Sequence, residues 1–202
     1  MTLNKITYFL IAVSILIIVL LFVWFFVIKG KISTFINVNQ PAVIKQIQSL
    51  QRLETASFTI EKIIDAGTAQ TNVFSQFLFG DRILLIAHGQ VIAGFDFSQI
   101  SGKDIKINGK EIYIKLPAAQ VLITSIDNSQ TRVYDRQLGI LNSGQKDLES
   151  QARTAAEKSI KDAACKGGIL QTASDNGRKQ LSALLYGLGF ITVTIEIPTG
   201  NC

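Results

Sequence analysis

Hydrophobic and polar positions divide this chain into two unequal parts. Ile6 to Ile28 is a run of 23 residues without a charge, and as a helix it would be roughly 34 Å long, slightly more than the ~30 Å hydrocarbon core of a bilayer. The pattern predicts a transmembrane helix over 6–28, preceded by a short tail over 1–5. A cleaved secretory signal would have a shorter apolar core and small residues at its exit. Here Phe22-Val23-Trp24-Phe25-Phe26 stands at the exit, and no cysteine stands there to accept a lipid, Cys165 and Cys202 being far away. Tyr8 and Trp24 fit interfacial aromatic belts, while the interior has neither a stripe of small residues nor an ionisable group, so the segment reads as a tether.

Residues 29–53 read as a juxtamembrane linker and an amphipathic stalk helix, with Pro41 near its start and Val43, Ile44, Ile47, Leu50 and Leu53 at helical spacing. From 54 to 202 the texture is that of a soluble domain. Phe58, Ile60 and Ile64 alternate with polar residues as a strand, and a polar break follows over 67–72. Two apolar runs, 83–86 and 91–93, are divided by Gly89 and followed by Gly94, which suggests central strands with a bend, a bulge or a hairpin. Asn108-Gly109 predicts a two-residue hairpin turn, with Ile105 and Ile107 facing Ile112 and Ile114, and the lysines between them left to water. Strands follow over 121–126 and 131–135.

Beyond Gly144 the period changes to 3.6. Ala152, Ala155, Ala156, Ile160, Ala163 and Ala164 form one helical face, and Glu149, Arg153, Glu157 and Lys161 form an opposite-sign ladder on the other. Gly167-Gly168 stops this helix, a second runs to Gly187, and a last strand covers 190–197. The fold class is therefore α+β: an N-terminal transmembrane helix, then a mostly antiparallel sheet packed by a C-terminal helical hairpin and a final strand. Gly187-Leu188-Gly189 closes a helix, whereas phosphate loops open one.

The two cysteines fit this layout. Helices of about 28 Å and a returning strand of about 26 Å bring Cys202 back to the end of the structure where Cys165 caps the first helix. A disulfide between Cys165 and Cys202 is the expectation; the alternative is a small buried Cys165 and a tail thiol. The bridge bears on orientation. Lys5 and the amino terminus stand against Lys29, Lys31 and Lys45, a count that favours a cytoplasmic domain, but a disulfide requires an oxidising exterior and overrides it.

Composition narrows the chemistry. Twenty Lys plus Arg against 15 Asp plus Glu leave a net charge of +5, the longest basic run is Arg178-Lys179, and most aromatics sit in apolar runs, so no nucleic-acid partner is expected. One histidine and two cysteines do not make a metal site, and no phosphate loop, nucleophile elbow or metalloprotease pair occurs. Catalytic residues, cofactors and metal ligands are expected to be none. His88, in an apolar strand, is the only candidate base, and it would need a carboxylate such as Asp81 or Asp96 beside it.

Leu53-Glu54-Thr55, Gly94-Phe95-Asp96, Ile114-Lys115-Leu116-Pro117 and Leu188-Gly189-Phe190 with Val193 occur in an order that resembles the bacterial domain-of-unknown-function family 4230. The resemblance spans roughly 50–197. It implies a domain tethered by one N-terminal membrane helix and carries over no catalytic residue. Three functions stay open: a non-enzymatic envelope domain acting on a protein or envelope partner; a membrane-tethered hydrolase of envelope material using His88; and a pilin-like subunit, disfavoured by the missing glycine before the apolar segment and the missing acidic residue within it.

Overall fold

The structure is a computed structural model that describes Phe9, Val13 and residues 15–24, 40–67, 72–98 and 100–202. The chain divides into two compact units, Met1–Asn37 and Val38–Cys202. In the first, residues 15–24 are helical, and each exposes at least 51% of its surface. Among the described residues no helix is long and apolar enough to cross a membrane; the rest of the span expected over 6–28 lies outside them.

In the second unit, α1 (Gln40–Ser49) lies where the stalk helix was expected but is shorter, since Leu53 is a strand residue paired with Phe95, and it is built into the domain: Val43 and Ile47 are fully buried. β1 (Arg52–Gly67) and β2 (Asp81–Asp96) are antiparallel strands of 16 residues each, paired from Arg52↔Asp96 to Gly67↔Arg82. The connection carries a short helix, α2 (Val73–Phe79). The glycines of β2 do not break it into a hairpin. A Cβ on Gly94 would lie 1.9 Å from the Leu53 carbonyl at a β-bulge, and one on Gly89 would lie 2.8 Å from the Ile160 side chain. Both residues admit a neighbour to the strand.

β3 (Ile105–Asn108) and β4 (Glu111–Lys115) form the expected hairpin, with its turn one residue later than predicted. Gly109 and Lys110 are the central residues, and Gly109 has φ +58. The later turn pairs Ile105 with Ile114 and Ile107 with Ile112, whereas a turn at Asn108-Gly109 would set Ile107 against Lys110. Cross-strand apolar pairing decides the register.

β5 (Gln120–Ile126) and β6 (Arg132–Leu138) share the second edge of β2 end to end. α3 (Leu148–Lys166) and α4 (Ile169–Gly187) then precede β7 (Thr192–Glu196). There are two sheets: β1, β2, β5 and β6 in one, and β3-β4-β7 in the other, where β7 runs parallel to β4. The protein is thus α+β, mostly antiparallel, with C-terminal helices and a final strand.

α3 and α4 pack on β1 and β2, and their contact points advance along the sheet in one direction, so the two helices follow one another and do not fold back as the expected helical hairpin. Ile160 fills the space at Gly89, Gly167 touches Phe58, and Gly177 meets Phe95. Between the last two, the buried Thr55 hydroxyl donates to the Ala173 carbonyl at 2.9 Å, and Asn176 Nδ2 donates to the Thr55 carbonyl. The inward faces are Leu148, Ala152, Ala156, Ile160 and Ala164 on α3 and Ile169, Ala173, Gly177, Leu181 and Leu185 on α4. The expected Ala155 instead faces water.

Candidate functional site

His88 lies on the open face of the first sheet, directly across from Glu61. Its Nε2 stands 3.1 Å from Glu61 Oε2, with the histidine side chain 25% and the carboxylate 56% exposed. The carboxylate beside it is therefore neither Asp81 nor Asp96. Asp81 is buried under the tip of the β1–β2 hairpin, where Arg136 donates to it at 3.1 and 2.9 Å and the Gln145 N–H at 2.6 Å. Those bonds, Arg136 first, hold its carboxyl below the ordinary range against the opposing effect of burial. Asp96, at the other end of the strand, accepts from Ser98 N–H, and that loop likewise lowers its pKa. Glu61 was not singled out beforehand because a cross-strand partner 27 positions away depends on the hairpin register, for which the sequence carries no local signal.

Cys165 and Cys202 come to disulfide distance, 2.09 Å between sulfurs and 6.0 Å between Cα atoms. α4 leads away from Cys165; β7 and the tail lead back. Arg178 Nη1 donates to the Ile195 carbonyl at 2.9 Å, and residues 197–202 lie along Leu170, Gln171 and Ser174 with a cleft of about 370 Å³ between them. The return path thus depends on α4 and β7; the direction of α3 is immaterial.

The other distinctive surface is the hairpin tip. Asn72 Oδ1 accepts from Ser75 N–H at 2.7 Å and caps α2, whose seven residues include no buried one. What holds α2 is main chain. Ile140 N–H donates to the Phe77 carbonyl and Leu141 N–H to that of Leu78, while Asn142 Nδ2 donates to the Phe79 carbonyl at 2.7 Å. Val73, Phe74, Phe77, Phe79, Ile140 and Leu141 each expose between 50% and 86% of their surface. Beside them a cleft of about 280 Å³ runs between α2 and β6, lined by Val73, Phe77 and Leu138. Of the bordering charges, Asp65 is paired with Arg82 and Asp81 with Arg136, and Asp135 stands near Arg82 as a third carboxylate. The run Val73-Phe74 followed by Phe77-Leu78-Phe79 was the available sequence signal, but it is too short to establish a period.

Among the described residues no group of three or more His, Cys, Asp and Glu is placed to hold a metal ion. Two of the motifs meet as packing contacts, and two others supply residues to neighbouring strands of the second sheet. Leu53-Glu54 lies against Gly94-Phe95 at the bulge, and Ile112 and Ile114 of β4 pair with Val193 and Ile195 of β7.

No curated protein and no solved structure matches the chain. A family model described as "Protein of unknown function (DUF4230)" matches residues 45–195, from α1 through the second-last residue of β7. With well over half of its length covered, the chain belongs to this domain-of-unknown-function family.

Proposed function

We propose that this protein is a membrane-tethered domain of the cell envelope that works by contact through its hairpin tip and performs no catalysis. The observation that carries the reading is the tip itself. Contiguous apolar surface on a soluble monomer is ordinarily about 300–600 Å², and larger patches mark sites of interaction. The six tip side chains, at roughly 150–200 Å² for each large apolar residue, expose on the order of 700 Å².

Two further features support the location. The uncharged run 6–28 has a bilayer's length, and its described part is a helix that is apolar on every side, a pattern suited to lipid and not to water. The Cys165–Cys202 pair favours an oxidising compartment, which supports a location outside the cytoplasm.

A membrane-impermeant maleimide applied to intact cells tests the reading. Both thiols are expected to label only after reduction, without breaching the membrane. Labelling without reduction, and only after the membrane is opened, would place the domain in the cytoplasm and refute it. The His88–Glu61 pair supports a second reading, a tethered hydrolase with Glu61 orienting His88 as base. Turnover of an ester or amide by the purified chain, lost on His88→Ala, would establish that reading in place of the first.

A further inference from the structure

We infer that the hairpin tip is a self-association surface, docking the tip of a second copy of this chain. The inference rests on the proposed reading of the tip as a contact surface and names its partner.

Three observations select a second copy. The first is area: on the order of 700 Å² of exposed apolar side chain is close to the ~800 Å² per partner of a standard protein–protein interface. The second is shape. A two-fold interface must complement itself, the same patch meeting the same patch. The tip offers both halves of such a fit: a ridge of Phe74 and Phe77 projecting from α2, and beside it the cleft of about 280 Å³ against Leu138. That volume lies below the usual ~300–1,000 Å³ of small-molecule pockets and suits a single inserted side chain.

The third is charge. Two identical patches bring like charges together unless each patch is already neutral. α2 and residues 138–142 carry no charged residue, and the bordering Asp65–Arg82 and Asp81–Arg136 pairs are neutral within one copy. A lipid-binding tip would instead be ringed by Lys and Arg to attract anionic headgroups. The surface is therefore built for protein.

The tip is also free to be reached. It stands at the Gly67–Arg82 end of the hairpin, roughly 50 Å from the Arg52–Asp96 end, where the chain enters the domain from α1.

The test uses the full chain in detergent and in nanodiscs, with mass by sedimentation across a concentration series. The wild type is expected to dimerise reversibly. Phe74→Glu with Phe77→Glu, and separately Ile140→Glu, are expected to raise the dimer dissociation constant at least a hundredfold. Their unfolding midpoints, measured at concentrations where the wild type is monomeric, should stay at the wild-type value, because these side chains are exposed. Two results overturn the inference: a wild type that is monomeric throughout, or a dimer that survives both variants. Quenching of a Phe74→Trp fluorophore, in a Trp24→Phe background, by brominated lipid would also overturn it, in favour of a bilayer contact. A monomer whose labelled tip binds a different envelope protein refutes self-association and leaves the contact reading standing, whereas a cytoplasmic maleimide pattern removes the envelope reading whatever the mass.

Discussion

Opening the Cys165–Cys202 bridge should cost the domain about 4 kcal/mol. The sequence separation is 37, and closing a loop of that length in the unfolded chain removes entropy worth about 3.9 kcal/mol at 25 °C. Against a typical total of about 5–15 kcal/mol, loss of the bridge brings the domain near the edge of stability in a reducing compartment, which ties the bridge to the proposed location. The assay is urea unfolding of the full chain in detergent, followed by far-ultraviolet circular dichroism. With a slope of about 2 kcal/mol/M, the midpoint should fall by roughly 2 M. Reduced wild type, Cys202→Ser and Cys165→Ser should converge on one midpoint, since each removes the same cross-link. A shift under about 0.5 M would refute the reasoning. It would mean that the tail's own contacts, the Arg178–Ile195 hydrogen bond and the packing of Gly200 against the Ala119 carbonyl, already hold the loop closed. Divergence of Cys165→Ser from the reduced protein would place the effect in local packing.

Two further predictions concern the core and the tip. A Cβ on Gly177 would lie 2.2 Å from the ring of Phe95, a fully buried side chain stacked on Phe97 at 5.8 Å. Overpacking of about 3 kcal/mol against a helix-propensity gain of about 1 predicts a net loss of about 2 kcal/mol for Gly177→Ala; Phe95→Leu should rescue it, and a double-mutant cycle by chemical unfolding should show at least about 1 kcal/mol of favourable coupling. Asp81 has a lowered pKa in the folded state, so the stability it supplies is complete above its unfolded value of about 3.9 and is lost as pH falls through the folded one. Asp81→Asn should cost about 3 kcal/mol at pH 7, at the lower end for a broken buried pair because Arg136 keeps 35% of its side chain exposed, and unfolding measured from pH 6 to pH 2 should lose part of its acid dependence.

The elements that could be read from sequence are those whose signal is local. The inward face of α3 repeats at every fourth position over 152–164 and packs as expected at Ala152, Ala156, Ile160 and Ala164, though not at Ala155, because helical periodicity and sheet contact are the same fact seen twice. The hairpin at Gly109 was legible for the same reason, and its turn moved by one residue only because isoleucine pairing across the strands, a non-local effect, outweighed the preference of Asn108 for a turn. Illegible were the features set by register over long separations: the unbroken course of β2 past Gly89 and Gly94, the pairing of Glu61 with His88, and the division into two sheets. For the cysteines, length arithmetic sufficed, since a helix out and a strand back end where they began whatever precedes them.

The tip was missed for a physical reason that also bears on its role. A helix of seven residues is not stable alone in water, and apolar side chains ordinarily stabilise such an element by turning inward. α2 buries none of its residues. It is held instead through main-chain groups, the carbonyls of Phe77, Leu78 and Phe79 each accepting a hydrogen bond from residues 140–142, and those residues are positioned in turn by β6 and the buried Asp81–Arg136 pair. Because the backbone does the holding, the phenylalanines are released from the core and directed outward. A fold under selection for stability alone would place Phe74 and Phe77 inside and a polar turn at this end. Fixing the main chain while exposing three aromatic rings is costly for an isolated domain and advantageous only when a second surface covers them.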